Sequence, residues 1–128
     1  MPKKNIPFNF VFDHLLPLDV TVKPMFGMWA IYLSEKILLI LRQRSDQPDK
    51  NGVWVATNAE HHKSLKSELP SLRSIFAYEG SDKDTEWQLL PVSTYDFEAS
   101  VGKVCELIKS GDDRIGKIPK SRKRKGKN

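Results

Sequence analysis

Five consecutive residues, Ile37-Leu38-Leu39-Ile40-Leu41, are apolar without interruption, and they follow a stretch in which Trp29, Ile31 and Leu33 alternate with Met28, Ala30 and Tyr32. Alternation with period two is the pattern of a strand. An unbroken run of this length suits a central strand buried on both faces. Only Ser34-Glu35-Lys36 separates the two segments, which is short enough for a hairpin. The middle of the chain therefore predicts an antiparallel pair whose second strand needs cover on each side, and the rest of the sequence has to provide it.

The first source of cover is the stripe Phe8, Val11, Phe12, Leu15 and Leu16, spaced as one face of a helix and ended by Pro17. A short β-branched piece, Val20 to Val22, comes next. Beyond the hairpin, Ser45 to Gly52 is rich in turn residues, and Val53 to Ala56 resumes a strand-like run. Asn58 is placed to cap a mostly polar helix through Glu68, whose small apolar content, Leu65 and Leu69, predicts a surface position. Leu72 to Tyr78, the turn Gly80 to Asp84, and Glu86 to Val92 read as a second hairpin. A last helix has Phe97, Val101, Val104, Cys105 and Ile108 on one face, Ser93 or Asp96 as cap, and a stop at Gly111. The expected fold is α+β, a single layer of mainly antiparallel sheet with the N-terminal and C-terminal helices packed on it. Residues 1–116 form the domain and residues 117–128 a basic tail.

Charge divides along the same line. Seven of the 21 basic residues and none of the 16 acidic ones lie in the last twelve positions, which leaves 14 basic against 16 acidic residues, about −2, before them. The overall +5 thus describes the tail and is no evidence that the folded part binds nucleic acid. A single cysteine, Cys105, forms no internal disulfide, and no stretch approaches the roughly 20 apolar residues of a membrane span. After Met1-Pro2-Lys3-Lys4 the chain is broken by Pro7, Asn9, Asp13 and His14 before an apolar core accumulates, so no export signal is read. A cytoplasmic protein without membrane contact is expected.

Few residues invite chemistry. His61 and His62 are adjacent, but neighbours on a helix point about 100° apart and do not chelate one ion; two solvated side chains are expected. His14 lies off the apolar stripe of its helix. Cys105 lies on such a stripe and is read as packing, not as a nucleophile. Gly27 belongs to no phosphate-binding loop and marks a bend or a close backbone approach. Asp112-Asp113 is read as moderating the neighbouring basic charge. No catalytic, cofactor-binding or metal-binding residue is assigned, and no enzyme class is supported. The tail residues Lys117, Lys120, Arg122, Lys123, Arg124, Lys125 and Lys127 suit non-specific contact with phosphates, without aromatic residues among them for base stacking.

At Val20-Thr21-Val22-Lys23-Pro24-Met25-Phe26-Gly27, preceded by a helix and followed by a strand ending Ile31-Tyr32-Leu33, the sequence resembles the N-terminal domain of the TfoX/Sxy competence-regulator family. Met25, Phe26 and Gly27 are the motif. Gly52 to Ala56, Ile75 to Tyr78 and Leu89 to Val92 look like the family's later strands, so the resemblance covers about Phe8 to Ser110. It implies a stand-alone α+β domain of a bacterial cytoplasmic protein without catalytic residues, linked to transcriptional regulation through partner proteins. Three expectations of partnership follow. A regulatory protein partner comes from the resemblance, non-specific nucleic acid from the tail, and a homodimer from Ile37–Leu41, whose two apolar faces outnumber the covers that two amphipathic helices provide. Two alternatives stay open: a small-ligand-binding or enzymatic domain with a pocket in the sheet, and a direct DNA-binding protein similar to the MmcQ/YjbR-like domains.

Overall fold

A computed structural model describes residues 6–76 and 84–118. Its elements are α1 (Phe10–Leu15), β1 (Thr21–Met25), β2 (Met28–Leu33), β3 (Lys36–Arg42), β4 (Gly52–Val55), α2 (His62–Glu68), β5 (Arg73–Phe76), β6 (Asp84–Pro91) and α3 (Phe97–Lys109). The strands form one antiparallel sheet in the order β1-β2-β3-β4-β6-β5, so the α+β architecture expected from the sequence is present. The all-apolar run occupies β3, paired on both sides, and every residue from Ile37 to Arg42 is buried.

One face of the sheet carries the main core. Ile31, Leu39, Leu41, Val53, Val55 and Leu90 pack against Val11 and Leu15 of α1 and against Val101, Val104, Cys105 and Ile108 of α3. An irregularity in the β2–β3 ladder strengthens this side: Ile31 opposes Leu39 while Tyr32 opposes Ile37, so Leu38 is an extra residue. Such a bulge turns two successive side chains toward the same face. Leu38 and Leu39 accordingly join the same cluster.

Three details depart from the expectations. The stripe of α1 stops short of Leu16, which lies beyond the helix and is exposed. The middle helix does not ride on the surface, because Leu65, Leu69 and Leu72 are fully buried in the main core. Asn58 precedes a 3₁₀ turn, Ala59–His61, and makes no side-chain cap bond. At the end of α3, by contrast, Gly111 has a φ of +81°, its N–H donates to the Ile108 carbonyl, and the Asp112 N–H donates to the Leu107 carbonyl. This is the Schellman arrangement, and it requires the left-handed residue that glycine supplies.

Lys117, the first residue assigned to the tail, pairs with the sheet. The Lys117 N–H donates to the Ile37 carbonyl at 2.9 Å and the Ile37 N–H to the Lys117 carbonyl at 2.8 Å, so Lys117 extends the sheet beside β3, past the end of β4. Backbone pairing of this kind satisfies polar groups that β3 would otherwise bury.

Candidate functional site

The opposite face of the sheet is built differently. Cross-strand pairing places Lys23, Ala30, Ile40, Trp54, Leu89 and Arg73 in one row across all six strands. Directly paired residues share a face, so the row runs from one cation to another over an apolar middle and contains no carboxylate. Four small or branched residues, Ala30, Ile37, Ile40 and Ala56, are buried here beneath Met25, Met28, Tyr32, Trp54 and Trp87. Trp54 and Trp87 meet edge to face at 6.4 Å, and the Lys23 ammonium lies 4.9 Å above the Tyr32 ring. No described helix packs in this second cluster.

At one side of this face a cleft of about 350 Å³ lies between the β1–β2 turn and the β3–β4 loop, lined among others by Phe26, Met28, Arg42, Arg44, Lys50 and Trp54. The turn is the motif itself. Phe26 and Gly27 have φ values of +50° and +79° between the paired residues Met25 and Met28. Positive φ at both central residues is the type I′ hairpin geometry, whose twist matches the strands. A Cβ at Gly27 would also meet the Arg44 guanidinium, the movable end of an exposed side chain. The expectation of a bend or close approach holds, with a side chain as the neighbour in place of backbone. Phe26 is left 88% exposed at the rim, while Met25 is partly buried on the open face.

The facing loop is organised around a buried cation. Arg42 is 5% exposed and donates to the Gln47 carbonyl at 3.0 Å, to Asn51 Oδ1 at 2.7 Å and to the Asp46 carbonyl at 2.9 Å. Asn51, equally buried, also accepts from the Arg44 N–H and donates to the Arg44 carbonyl, both at 2.9 Å. Buried charge is tolerated only with such partners. Arg44 reaches Asp46 at 2.7 Å and the Phe26 carbonyl at 3.3 Å, which links loop to turn, and Trp54 Nε1 donates to the Lys50 carbonyl at 3.0 Å. The hydrogen bond from Arg44 holds the Asp46 carboxyl below the usual carboxylate range, with the charges of Arg44 and Arg42 adding to it.

The other residues singled out in the sequence lie elsewhere. His62 is not solvated: its Nε2 is 2.8 Å from the Glu86 carbonyl and its Nδ1 is 3.4 Å from the buried Gln88 amide. A carbonyl only accepts, so the proton sits on Nε2 and both ring nitrogens are engaged. His61 is 3.5 Å from Glu60. Among the described residues no group of three metal-ligating side chains occurs, and no helix is long and apolar enough to cross a membrane. Exposed His14 stacks edge to face with Phe10, 5.9 Å away. Cys105 is fully buried, and desolvation pushes its thiol up to about 12.

Asp112 does more than moderate nearby charge. It accepts from Arg114 at 2.6 and 2.9 Å while Arg114 also reaches Glu68 at 2.7 Å and Ser64 at 3.2 Å, clamping α2 to the segment after α3. The hydrogen bonds from Arg114 lower the Asp112 carboxyl to about 2. Of the seven tail cations, Lys117 lies in the sheet as described, and Lys120, Arg122, Lys123, Arg124, Lys125 and Lys127 lie outside the described residues, as do Ala77 and Tyr78.

Arg42, Asn51, Trp54 and Trp87 were not singled out in the sequence. One signal was available: Trp54 between Val53 and Val55 must point away from the face that the two valines share. Compared with protein-family models, curated proteins and solved structures, the chain has no match in any of the three.

Proposed function

We propose that this protein is a non-enzymatic regulatory module that acts by binding, and that the helix-free face of its sheet is the binding surface. One observation carries the reading: while the other face is closed by α1, α2 and α3, this one sets an exposed phenylalanine, two tryptophans and a row ending in Lys23 and Arg73 beside a loop held in place by buried Arg42. Recognition surfaces combine aromatic area with fixed polar groups in this way. The carboxylate lining the cleft, Asp46, is paired with arginines and kept charged, the opposite of a carboxyl poised to exchange protons. The resemblance to the competence-regulator domain supplies the regulatory part.

The test compares what the wild-type chain and the variant Phe26→Ser/Arg73→Glu retain from native lysate. Both side chains are exposed, so the fold is expected to be unchanged. Loss of the bound macromolecule in the variant supports the reading, and equal retention by both chains overturns it. A small-molecule site is the second reading, favoured by the 350 Å³ cleft. Its mark is a compound that co-purifies with the wild-type chain and raises its Tm but not that of Arg44→Ala.

A further inference from the structure

We infer that the occupant of the helix-free face is single-stranded RNA, an inference that rests on this face being the binding surface. The net charge of residues 1–116, about −2, argues against a nucleic-acid surface only if charge is spread evenly, and pairing shows that it is not. The row across the six strands has a lysine at one end, an arginine at the other and no acid between them. Arg44 and Lys50 add two more cations at the cleft, against one carboxylate, Asp46, already paired with Arg44. A strand of alternating phosphates and bases needs cations spaced along a path with rings beside them. The face offers both, with Trp54, Trp87 and exposed Phe26 lying among Lys23, Arg44, Lys50 and Arg73.

Geometry selects an unpaired strand over a duplex. The two tryptophans lie on the sheet surface, partly buried, and a base reaches such a ring only if it is free to turn out of its own stack. Duplex DNA keeps its bases stacked and would meet only the cations. RNA is the form in which cells hold most unpaired nucleic acid. Gln47, exposed on the cleft lining, carries an amide that both donates and accepts, as pairing with a 2′-hydroxyl requires. The tail, whose cations have no aromatic neighbours, adds affinity to any nucleic acid, so the test has to read the face separately.

The experiment titrates fluorescent twelve-nucleotide poly(U) RNA with the full-length chain at low salt. It follows anisotropy together with tryptophan emission and repeats the titration with a duplex DNA and with the dT equivalent. Binding of the RNA should quench tryptophan emission, since stacking brings bases onto the rings, whereas binding through the tail alone leaves emission unmoved. Lys23→Glu/Arg73→Glu should weaken binding at least about tenfold, and Phe26→Ser about fivefold. All three side chains are exposed, so these variants keep the fold. Binding without quenching, or equal affinity in the variants, places the contact on the tail and overturns the inference. Equal or tighter binding of dT, or tryptophan quenching by the duplex equal to that by the RNA, overturns RNA as the occupant. If the wild-type chain ignores RNA yet Phe26→Ser/Arg73→Glu loses its lysate partner, the face remains a binding surface and the RNA assignment alone fails. A dimer in sedimentation that Phe26→Ser dissolves makes a second copy the occupant, with the same consequence.

Discussion

Gly27 shows how much one residue settles. With φ at +79°, alanine there is strained, and its Cβ would displace the Arg44 guanidinium, the movable end of an exposed side chain. The left-handed conformation alone costs roughly 1–2 kcal/mol, so Gly27→Ala should lower the urea midpoint accordingly. It should also release Arg44 from the Phe26 carbonyl, and an unchanged midpoint would show that the turn re-forms in another geometry. Cys105 is the contrasting case, a chemically capable group made inert by its surroundings. Burial pushes its thiol up to about 12, so native protein should resist thiol reagents at neutral pH, while Cys105→Ala costs about 1–2 kcal/mol in packing and leaves binding intact. Rapid labelling of the folded chain would contradict this. The thiol's role was legible from its place on the stripe Val101, Val104 and Ile108. The burial of Arg42 was not, because an arginine directly after an apolar run reads as the end of a strand, and its partners, the Asp46 and Gln47 carbonyls and the Asn51 amide, exist only once the loop has closed.

Among the elements, α1, α3 and the strands were legible because each repeats its apolar residues with its own period. What escaped was the relation between elements. The bulge at Leu38 is invisible in a run where every residue is apolar, since shifting the register by one leaves the pattern unchanged. Helix α2 read as a surface helix because it presents one buried leucine, Leu65, yet it is held by Leu69 and Leu72 just beyond it and by Arg114, fifty positions from Ser64. That clamp has a pH dependence of definite sign. Asp112 titrates at about 2 in the folded chain against an ordinary 3.8, so its contribution is complete above about pH 4 and is lost as pH falls toward 2. Asp112→Asn should therefore be less stable than wild type by about 1 kcal/mol at pH 7, and the two urea midpoints should converge near pH 2. A difference that persists at pH 2 would assign the loss to something other than the ion pair.

For the whole molecule, the decisive property is that its layers are unequal. Three helices close one face of a six-stranded sheet, and among the described residues the other is closed by its own large side chains lying over Ala30, Ile37, Ile40 and Ala56. The sequence shows that β3 must be covered twice, but not that one cover is self-supplied. It also hides the cationic row, because which residues share a face depends on the pairing of β4 with β6 and of β6 with β5. The same view fixes where the chain can be cut. Removing residues 117–128 would take away the two backbone bonds between Lys117 and Ile37 and expose polar groups of a central strand, whereas a cut after Ile118 leaves them in place. The chain ending at Ile118 should keep its Tm within a degree or two, and the chain ending at Gly116 should melt earlier, each lost hydrogen bond costing about 1 kcal/mol. The longer truncation then isolates the tail's electrostatics. If four to five phosphates of a random duplex are neutralised by the full chain, log K should fall against log salt with a slope of about −4. With Lys120, Arg122, Lys123, Arg124, Lys125 and Lys127 removed, duplex binding should disappear if, as proposed, the folded part serves unpaired bases. Anisotropy on that duplex from about 50 to 200 mM salt decides it: undiminished binding by the chain ending at Ile118 would place duplex recognition on the folded domain, and a slope near zero for the full chain would show that the tail carries no phosphate contact at all.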